Sequence, residues 1–388
     1  MRRVGDEERR HRLAARHALA PGHRAGDPLG AARAAVALHA TEPATVYLSA
    51  QARVDGLRVA DVDAALEADR SVVKQLGMRR TLFGFPRDLL PAVWGSAGAR
   101  VAAQQERLVA KDVERHGVAE DGVAWLARAE AAVLQRLADG SAVSARRLRE
   151  ELPELAGRTR EADGPGNAFA PRVLTVLGAR GQVMRAENEG HWRTSRPRWA
   201  LTSAWLGEQP PHRTEQEGYA ELVRRWLERF GPGTEADLVW WLGATKGAVR
   251  RALADVGAVQ VGLGSGVGWV LPEDEGPAPP VEPWAALLPV LDPATMGWRE
   301  RDFYLRPAHT PYLFDTNGNG GTTAWWEGRI VGAWVQEAGE VRVLLLEDVG
   351  SDGRAALEAE AERLAAFLGE VVVSSIYKSA LMKGAPLP

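Results

Sequence analysis

The sequence predicts an α+β protein, mainly α: three tandem winged-helix units followed by a small C-terminal β domain that carries one helix. Three observations predict it. An order of helix, turn, helix, helix and hairpin recurs along the first two thirds of the chain. An acidic, Pro-rich linker, "PEDEGPAPPVEP" (Pro272–Pro283), follows. Beyond it the texture changes to alternating segments separated by turn residues. The units are 1–120, 121–210 and 211–271, the linker 272–283 and the last domain 284–388. A chain of 388 residues is too long for one ordinary core, which agrees with several domains.

Each element has a local reason. In "DEERRHRLAARHAL" (Asp6–Leu19) acids come first and bases last, which suits the helix dipole. After the Gly/Pro stretch "APGHRAGDPLG" an apolar helix runs to near Leu38. His39, Thr41 and Glu42 then arrive within four residues, Pro43 stops the helix, and "ATVYLSAQARV" begins the next. "RVADVDAALEADR" reads as a helix capped near Asp61, with Val62 and Leu66 on one face. "SVVKQLGMRRTLFGF" alternates like a strand or short hairpin.

The middle of the chain repeats the order. "VAWLARAEAAVLQRLADG" is an amphipathic helix ending at Gly140, and "SAVSARRLREELPEL" is a capped helix-turn-helix segment. "RVLTVLGARGQVMRAENEGHWRTSRPRWAL" holds a helix and two strands around a polar turn at Glu187–Gly190. From Glu217 the pattern is clearest. A helix stops at Gly231, and "TEADLVWWLG" is capped by Thr234 with Asp237 three residues later. "TKGAVRRALADVG" is the next helix, and "AVQVGLGSGVGWVL" is a Gly-turned hairpin. In the last domain "AALLPVLDPATMGW", "TTAWWEGRIVGAWVQ" and "EVRVLLLEDVG" read as strands, "RAALEAEAERLAAFLG" as a helix and "EVVVSSIY" as a final strand.

Composition excludes several classes. The chain has no cysteine, so disulfides, thiolate zinc sites and a Cys nucleophile are out. No apolar run approaches the roughly 18–20 residues of a membrane span. The basic N-terminus lacks the apolar core of a signal peptide. A cytoplasmic, nucleoid-associated protein is the expectation. The net charge of −3 gives no overall attraction to nucleic acid, so local charge has to carry that reading. The histidines show no metal spacing. "GLGSGVG" lacks the ending of a phosphate loop and sits in a hairpin, so it reads as a wing turn. "DTNGNGG" (Asp315–Gly321) reads as a tight loop between strands rather than a calcium loop.

Winged helices usually bind DNA, one helix in the major groove and the hairpin on the backbone. Lys74, Arg79 and Arg80 lie in the first hairpin, and Arg146, Arg147 and Arg149 on the second unit's helix. Arg193, Arg196 and Arg198 lie beside Trp192 and Trp199 in the second hairpin. Such cations meet phosphates, and an interleaved tryptophan can stack on an unpaired base. For each arginine a solvated surface role stands beside phosphate contact. Three reading units in one chain suit a clamp that grips a lesion and exposes one nucleotide. Double-stranded DNA is therefore the expected partner, with no membrane and a monomeric protein.

The segments "LHATEPATVYLSAQAR", "MRRTLFGF", "HWRTSRPRWAL", "RFGPGTEADLVWWLG", "LLPVLDPATMGWRERDFYL" and "LFDTNGNGGTTAWWEGRIVGAW", in this order, resemble the bacterial tandem winged-helix family that contains the AlkZ and YcaQ DNA glycosylases. The resemblance spans nearly the whole chain. It implies three winged helices and a C-terminal β-barrel in a C shape around a DNA-sized cleft. It also implies hydrolysis of the glycosidic bond of N7- or N3-alkylated purines, in some members within crosslinks or bulky natural-product adducts. The family's motif, Gln-x-Gln or Gln-x-Asp, falls on His39-Ala40-Thr41, where neither residue is the amide or acid of the family.

N-glycosidic hydrolysis needs a water aimed at the anomeric carbon and stabilisation of an oxocarbenium-like centre. An alkylated purine is already a good leaving group. His39, an imidazole with a free pKa near ~6.5, is placed to accept the water's proton, and Thr41 to hold the same water. In an extended joint i and i+2 face one side; in a helix they diverge by about 200°. Pro43 favours the extended form at Glu42, a third polar candidate. Bland roles stand beside these: Thr41 as the next helix's N-cap, His39 as a buried, hydrogen-bonded residue, Glu42 as a first-turn acid. Asn317 and Asn319 are further DNA-contact candidates. No cofactor or metal is expected, because the reaction needs only water. The alternative is a non-catalytic DNA-binding protein, a regulator or lesion binder, and beyond it a scaffold that binds only protein.

Overall fold

The computed structural model describes residues 1–160, 166–337 and 339–387. The chain starts with α1 (Asp6–Arg16), α2 (Pro28–Ala34), β1 (Leu38–His39), α3 (Pro43–Gln51) and α4 (Val59–Asp63). β2 (Val72–Leu76), β3 (Leu82–Pro86), α5 (Leu90–Val93) and α6 (Ala99–Arg115) follow. Next come α7 (Gly122–Arg136), β4 (Val143–Ser144), α8 (Ala145–Glu151), α9 (Ala170–Ala179), β5 (Val183–Asn188), β6 (Pro197–Leu201) and α10 (Thr202–Leu206). Then come α11 (Glu215–Phe230), α12 (Glu235–Leu242), α13 (Lys246–Asp255), β7 (Val259–Leu263) and β8 (Gly266–Val270). The last stretch holds β9 (Ala285–Leu288), α14 (Pro293–Met296), α15 (Thr310–Leu313), β10 (Thr323–Trp326), β11 (Arg329–Glu337), β12 (Glu340–Leu345) and α16 (Gly350–Leu368). The fold is mixed and mainly helical, as expected. It divides into two compact units: Met1–Val72 with Gly84–Pro86 and Ala220–Pro388, and Val73–Phe83 with Arg87–Tyr219.

In the first unit three joints hold distant parts of the sequence together. Along α1, Arg12 Nη2 donates to the carbonyls of Asp274 (3.0 Å) and Gly276 (2.6 Å), and Arg16 pairs with Asp274 at 2.6 Å. The Pro-rich stretch is therefore pinned along a helix instead of hanging free. The second joint is Asp237. Its carboxylate closes the predicted capping box with Thr234, and its other oxygen accepts the Arg299 and Glu300 amides at 2.8 Å each. The third is the fully buried pair of Arg53 and Asp292. Two guanidinium nitrogens donate to the two carboxylate oxygens at 2.8 Å each, and Ser49 Oγ adds a bond at 2.6 Å. This fastens the C-terminal end of α3 to the N-cap of α14. Around these lies an aromatic core: the buried His17 ring is 4.4 Å from Phe230 and 5.7 Å from Trp298, centroid to centroid.

The sheet of the last domain is antiparallel in the order β12-β11-β10-β9, with α16 against β9 and β12. It is open, which corrects the barrel that the resemblance implied. Glu327 and Gly328, both at positive φ, make the two-residue turn between β10 and β11. "EVVVSSIY" forms no strand; it runs past α16 without entering the sheet. Two helix boundaries also differ from expectation. α4 starts at Val59 with Arg58 as N-cap, so Asp61 sits one turn inside and caps backward onto the Arg58 amide at 2.9 Å. α1 ends at Arg16 rather than Leu19.

In the second unit α6, α7 and α9 enclose a core that includes Val109, Val113, Trp125, Leu126, Val133, Phe169, Leu174, Leu177 and Trp199. Gly122 lets α7 approach α6: a Cβ there would stand 2.0 Å from the Ala110 carbonyl oxygen. β4, β6 and β5 pair in that order, so the chain runs helix, short strand, helix, helix, hairpin. Ser144 caps α8 by accepting the Arg147 amide at 3.3 Å. α7 ends at Arg136, not Gly140, and the turn expected at Glu187–Gly190 begins later because β5 continues to Asn188.

Candidate active site

The candidate joint is built by a helix that ends early. α2 stops at Ala34, not near Leu38, because Val36 sits at φ 61° and turns the chain out of helical conformation. Positive φ is a strained region for a β-branched residue, and such strain concentrates where structure serves function. Leu38 and His39 then form β1 beside β3. Gly84 makes the contact close: a Cβ there would lie 3.8 Å from the Leu38 carbonyl oxygen and 3.2 Å from a Val72 methyl. His39 is therefore extended.

His39 is 9% exposed and Thr41 is exposed. The Thr41 amide lies 3.4 Å from His39 Nδ1 and donates to it. That contact occupies the nitrogen nearest Thr41. The N-cap of α3 is Glu42, with Pro43 at the first helical position, so Thr41 is not the cap. The Glu42 carboxylate makes no capping bond within α3. It accepts instead from Ser375 Oγ (3.0 Å) and the Ile376 amide (2.9 Å). Sequence reasoning missed these partners; they lie 333 and 334 positions away, and no local pattern announces them. One turn into α3 the buried Tyr47 donates to Asp63 at 2.6 Å; burial and then the Asp63 carboxylate push its phenol up, so it stays protonated.

The cationic candidates lie in the second unit. Lys74 is partly buried on β2, while Arg79 and Arg80 occupy the β2–β3 turn, exposed and both at positive φ. Arg146 and Arg147 on α8 pair with Glu150 and Glu151 at 2.8 and 2.5 Å on the open surface, a kind of pair that water and phosphate readily replace. Arg193 and Arg196 are exposed in the β5–β6 loop beside the partly buried Trp192. Arg198 is turned back, donating to the Ala142 carbonyl at 2.8 Å. Trp199 is a core residue and offers no face to a base. Sequence reasoning also missed Arg100 and Arg107, which line a groove of about 650 Å3 along the exposed face of α6 with Gln104 and Leu108. The signal was there: these positions recur at helical spacing.

The Asp315 loop in the first unit is self-contained. Asp315 accepts the Asn317 and Asn319 amides (2.8 and 2.9 Å) and the Asn319 carboxamide (2.9 Å). Burial opposes the charge, but these bonds outweigh it and hold the carboxyl below its usual range. Asn319 is thus a brace of its own loop, and only the Asn317 side chain is turned out. Among the described residues no group of three or more His, Asp and Glu is placed to hold a metal ion, and no helix is long and apolar enough to cross a membrane.

The model of the AlkZ-like family, "DNA glycosylase AlkZ-like", matches residues 32–367, from the helix before the joint to the end of α16. The chain belongs to the AlkZ-like DNA glycosylase family. The solved structure of the Streptomyces sahachiroi DNA glycosylase AlkZ superposes with a TM-score of 0.75 at 18% identity, covering 95% of this chain and 97% of that one. At that identity the superposition speaks for a shared fold. No curated protein sequence matches the chain. Within the AlkZ-like family frame, the His39–Glu42 joint falls where the family's match has already begun, on a short strand and the N-cap that follows it.

Proposed function

We propose that this AlkZ-like glycosylase hydrolyses the N-glycosidic bond of N7- or N3-alkylated purines in duplex DNA, including bulky or crosslinking adducts, with His39 and Thr41 positioning the attacking water. The observation that supports the reading is the break between strand and helix in a chain of this family: His39 ends a short strand, and Thr41 and the N-cap Glu42 follow it before α3. A cationic purine leaves without strong acid catalysis, so a held water is the main requirement. The reaction is monofunctional and needs no cofactor.

We read the order α7 to β6 as a winged helix and α11 to β8 as another, in which no strand element stands at the place of β4. We read residues 1–120, 121–210 and 211–271 as three such units and 284–388 as the domain after the linker. The backbone grip falls to Lys74, Arg79, Arg80, Arg146, Arg147, Arg193, Arg196 and Arg198, joined by Arg100 and Arg107, with Trp192 as a stacking face and Asn317 as a contact from the last domain. The protein works as a monomer on nucleoid DNA.

One observation favours a second reading, a DNA binder without base release: neither His39 nor Thr41 is the amide or acid of the family motif. Base release from a duplex alkylated at guanine N7 separates the two. The wild type releases base, and His39→Ala loses release by about 10²–10³ with duplex affinity kept. Salt-sensitive binding with no release from any alkylated duplex would establish the binder instead.

A further inference from the structure

Beyond α16 the chain runs extended from Val371 to Lys378 and is held almost entirely by side chains. The Gln336 carboxamide takes the place of a neighbouring strand, donating to the Val371 carbonyl at 2.8 Å and accepting the Val373 amide at 3.0 Å. Glu42 holds the next turn through Ser375 and Ile376, and Ser375 Oγ accepts the Tyr377 amide at 2.9 Å. Farther on, the buried Ser379 and Leu381 anchor the chain against Gly321, where a Cβ would stand 2.7 Å from Ser379. The result is a strap fixed at both ends. Behind it lies a cavity of about 190 Å3 lined by Glu42, Leu48, Val290 and Trp334.

Along the strap Val371, Val373, Ser375 and Tyr377 are half-buried, whereas Val372, Ser374, Ile376 and Lys378 are exposed; Ile376 alone of these last four does not border the cavity. A single exposed apolar residue is ordinary. Ile376 differs in degree and place. It is 84% exposed, above every other large apolar residue described, and its own amide is bonded to the N-cap of the candidate joint. Lys378, two residues on and exposed as well, supplies a cation for a phosphate. A rigid backbone carrying a bare branched side chain beside a cation is the form of a wedge that enters a base step and holds it unstacked.

We propose that the 371–378 strap is a DNA-contacting element in which Ile376 wedges the damaged duplex open beside the nucleotide under attack, with Glu42 as the residue that positions it. The proposal rests on the glycosylase reading for its substrate. Glu42 acts through the strap and does not touch the reacting atoms.

The test uses full-length protein, Ile376→Ser and Glu42→Ala, on duplex and single-stranded oligonucleotides carrying an N7-alkylguanine next to 2-aminopurine. Ile376 is so exposed that Ser there leaves the melting temperature in place. A single strand has no stack to hold open, so the wedge matters only in the duplex. Ile376→Ser is expected to lower the ratio of duplex to single-strand base release about tenfold, the scale of one apolar contact, and to abolish the 2-aminopurine fluorescence rise on duplex binding. Glu42→Ala is expected to do the same in part. An unchanged ratio and an unchanged fluorescence rise in Ile376→Ser would overturn the wedge while leaving the glycosylase intact. A wild type that brightens 2-aminopurine without releasing base would remove the glycosylase reading and leave the wedge to be judged by fluorescence in Ile376→Ser. A wild type that neither binds nor releases base overturns both.

Discussion

Asp292→Ala should be among the most damaging single substitutions in the first unit. Asp292 is fully buried and accepts four hydrogen bonds, from Ser49 Oγ, two Arg53 nitrogens and the Ala294 amide. Truncation leaves the Arg53 guanidinium in the core with the Ser49 carbonyl, at 2.9 Å, as its one remaining acceptor among the described residues. An orphaned buried charge costs about 3–5 kcal/mol. For a unit of this size that corresponds to a melting temperature lower by on the order of 10 °C. Arg53→Met should cost a similar amount by stranding the carboxylate. The double variant Arg53→Met with Asp292→Leu should be far better than the sum of the two, because it removes both charges together. The assay is thermal and urea unfolding followed by circular dichroism, with base release measured alongside. Since the pair anchors α3, whose N-cap is Glu42, release should fall in step with stability. A loss under about 1 kcal/mol in Asp292→Ala, or a double variant as poor as the summed singles, would refute the reasoning, since surface-like pairs behave that way.

Two further outcomes follow from charge. Burial, and then the Arg53 and Arg229 cations, push the His17 imidazole well below its ordinary range, so the folded state keeps it neutral. The unfolded chain takes up that proton below about pH 6.5, so unfolding binds protons there and stability falls as pH drops through that value, by up to about 1.4 kcal/mol per pH unit; His17→Phe should flatten the slope in unfolding titrations between pH 7 and 5. Arg196→Ala, on the exposed β5–β6 loop, should weaken duplex binding evenly across sequences and lower the salt dependence of log K by about one phosphate contact, read from affinities at several salt concentrations.

What was legible in the sequence was local. The Thr234–Asp237 box, the Gly-turned β7–β8 hairpin and the amphipathic α7 depend on residues a few positions apart; the box and the hairpin are where the pattern put them, and α7 stops four residues short. The misses are places where a distant partner decides. The apolar run before His39 has helical composition, yet β3 pulls Leu38 and His39 into a strand. "EVVVSSIY" has the β-branched content of a strand, but its partner is the Gln336 side chain rather than another backbone. Glu42 reads from sequence as a third polar partner or a first-turn acid, and its bonds to the strap are legible in neither. The joint itself was legible in kind, because Pro43 excludes a continuous helix, but its hydrogen bonds were not.

The geometry of that joint distinguishes two roles for His39. An Nδ1 that accepts the Thr41 amide puts the proton of a neutral ring on Nε2, which makes Nε2 the donor nitrogen. A donor aligns a water through its oxygen; it does not take the water's proton. Taking it requires the Thr41 amide to give way, and at 3.4 Å that bond is long. In the proposed reaction a cationic purine departs readily and the water attacks a centre that is already electrophilic, which favours positioning as well. The family's own motif begins with Gln, a residue that can orient water and cannot serve as a base at neutral pH. His39→Gln therefore tests the choice directly. If His39 positions water, His39→Gln keeps base release within about tenfold of wild type while His39→Ala loses about 10²–10³, and neither shifts duplex affinity in a gel titration. If His39 must accept the proton, His39→Gln is as inactive as His39→Ala, and the donor role drawn from the Thr41 contact is wrong.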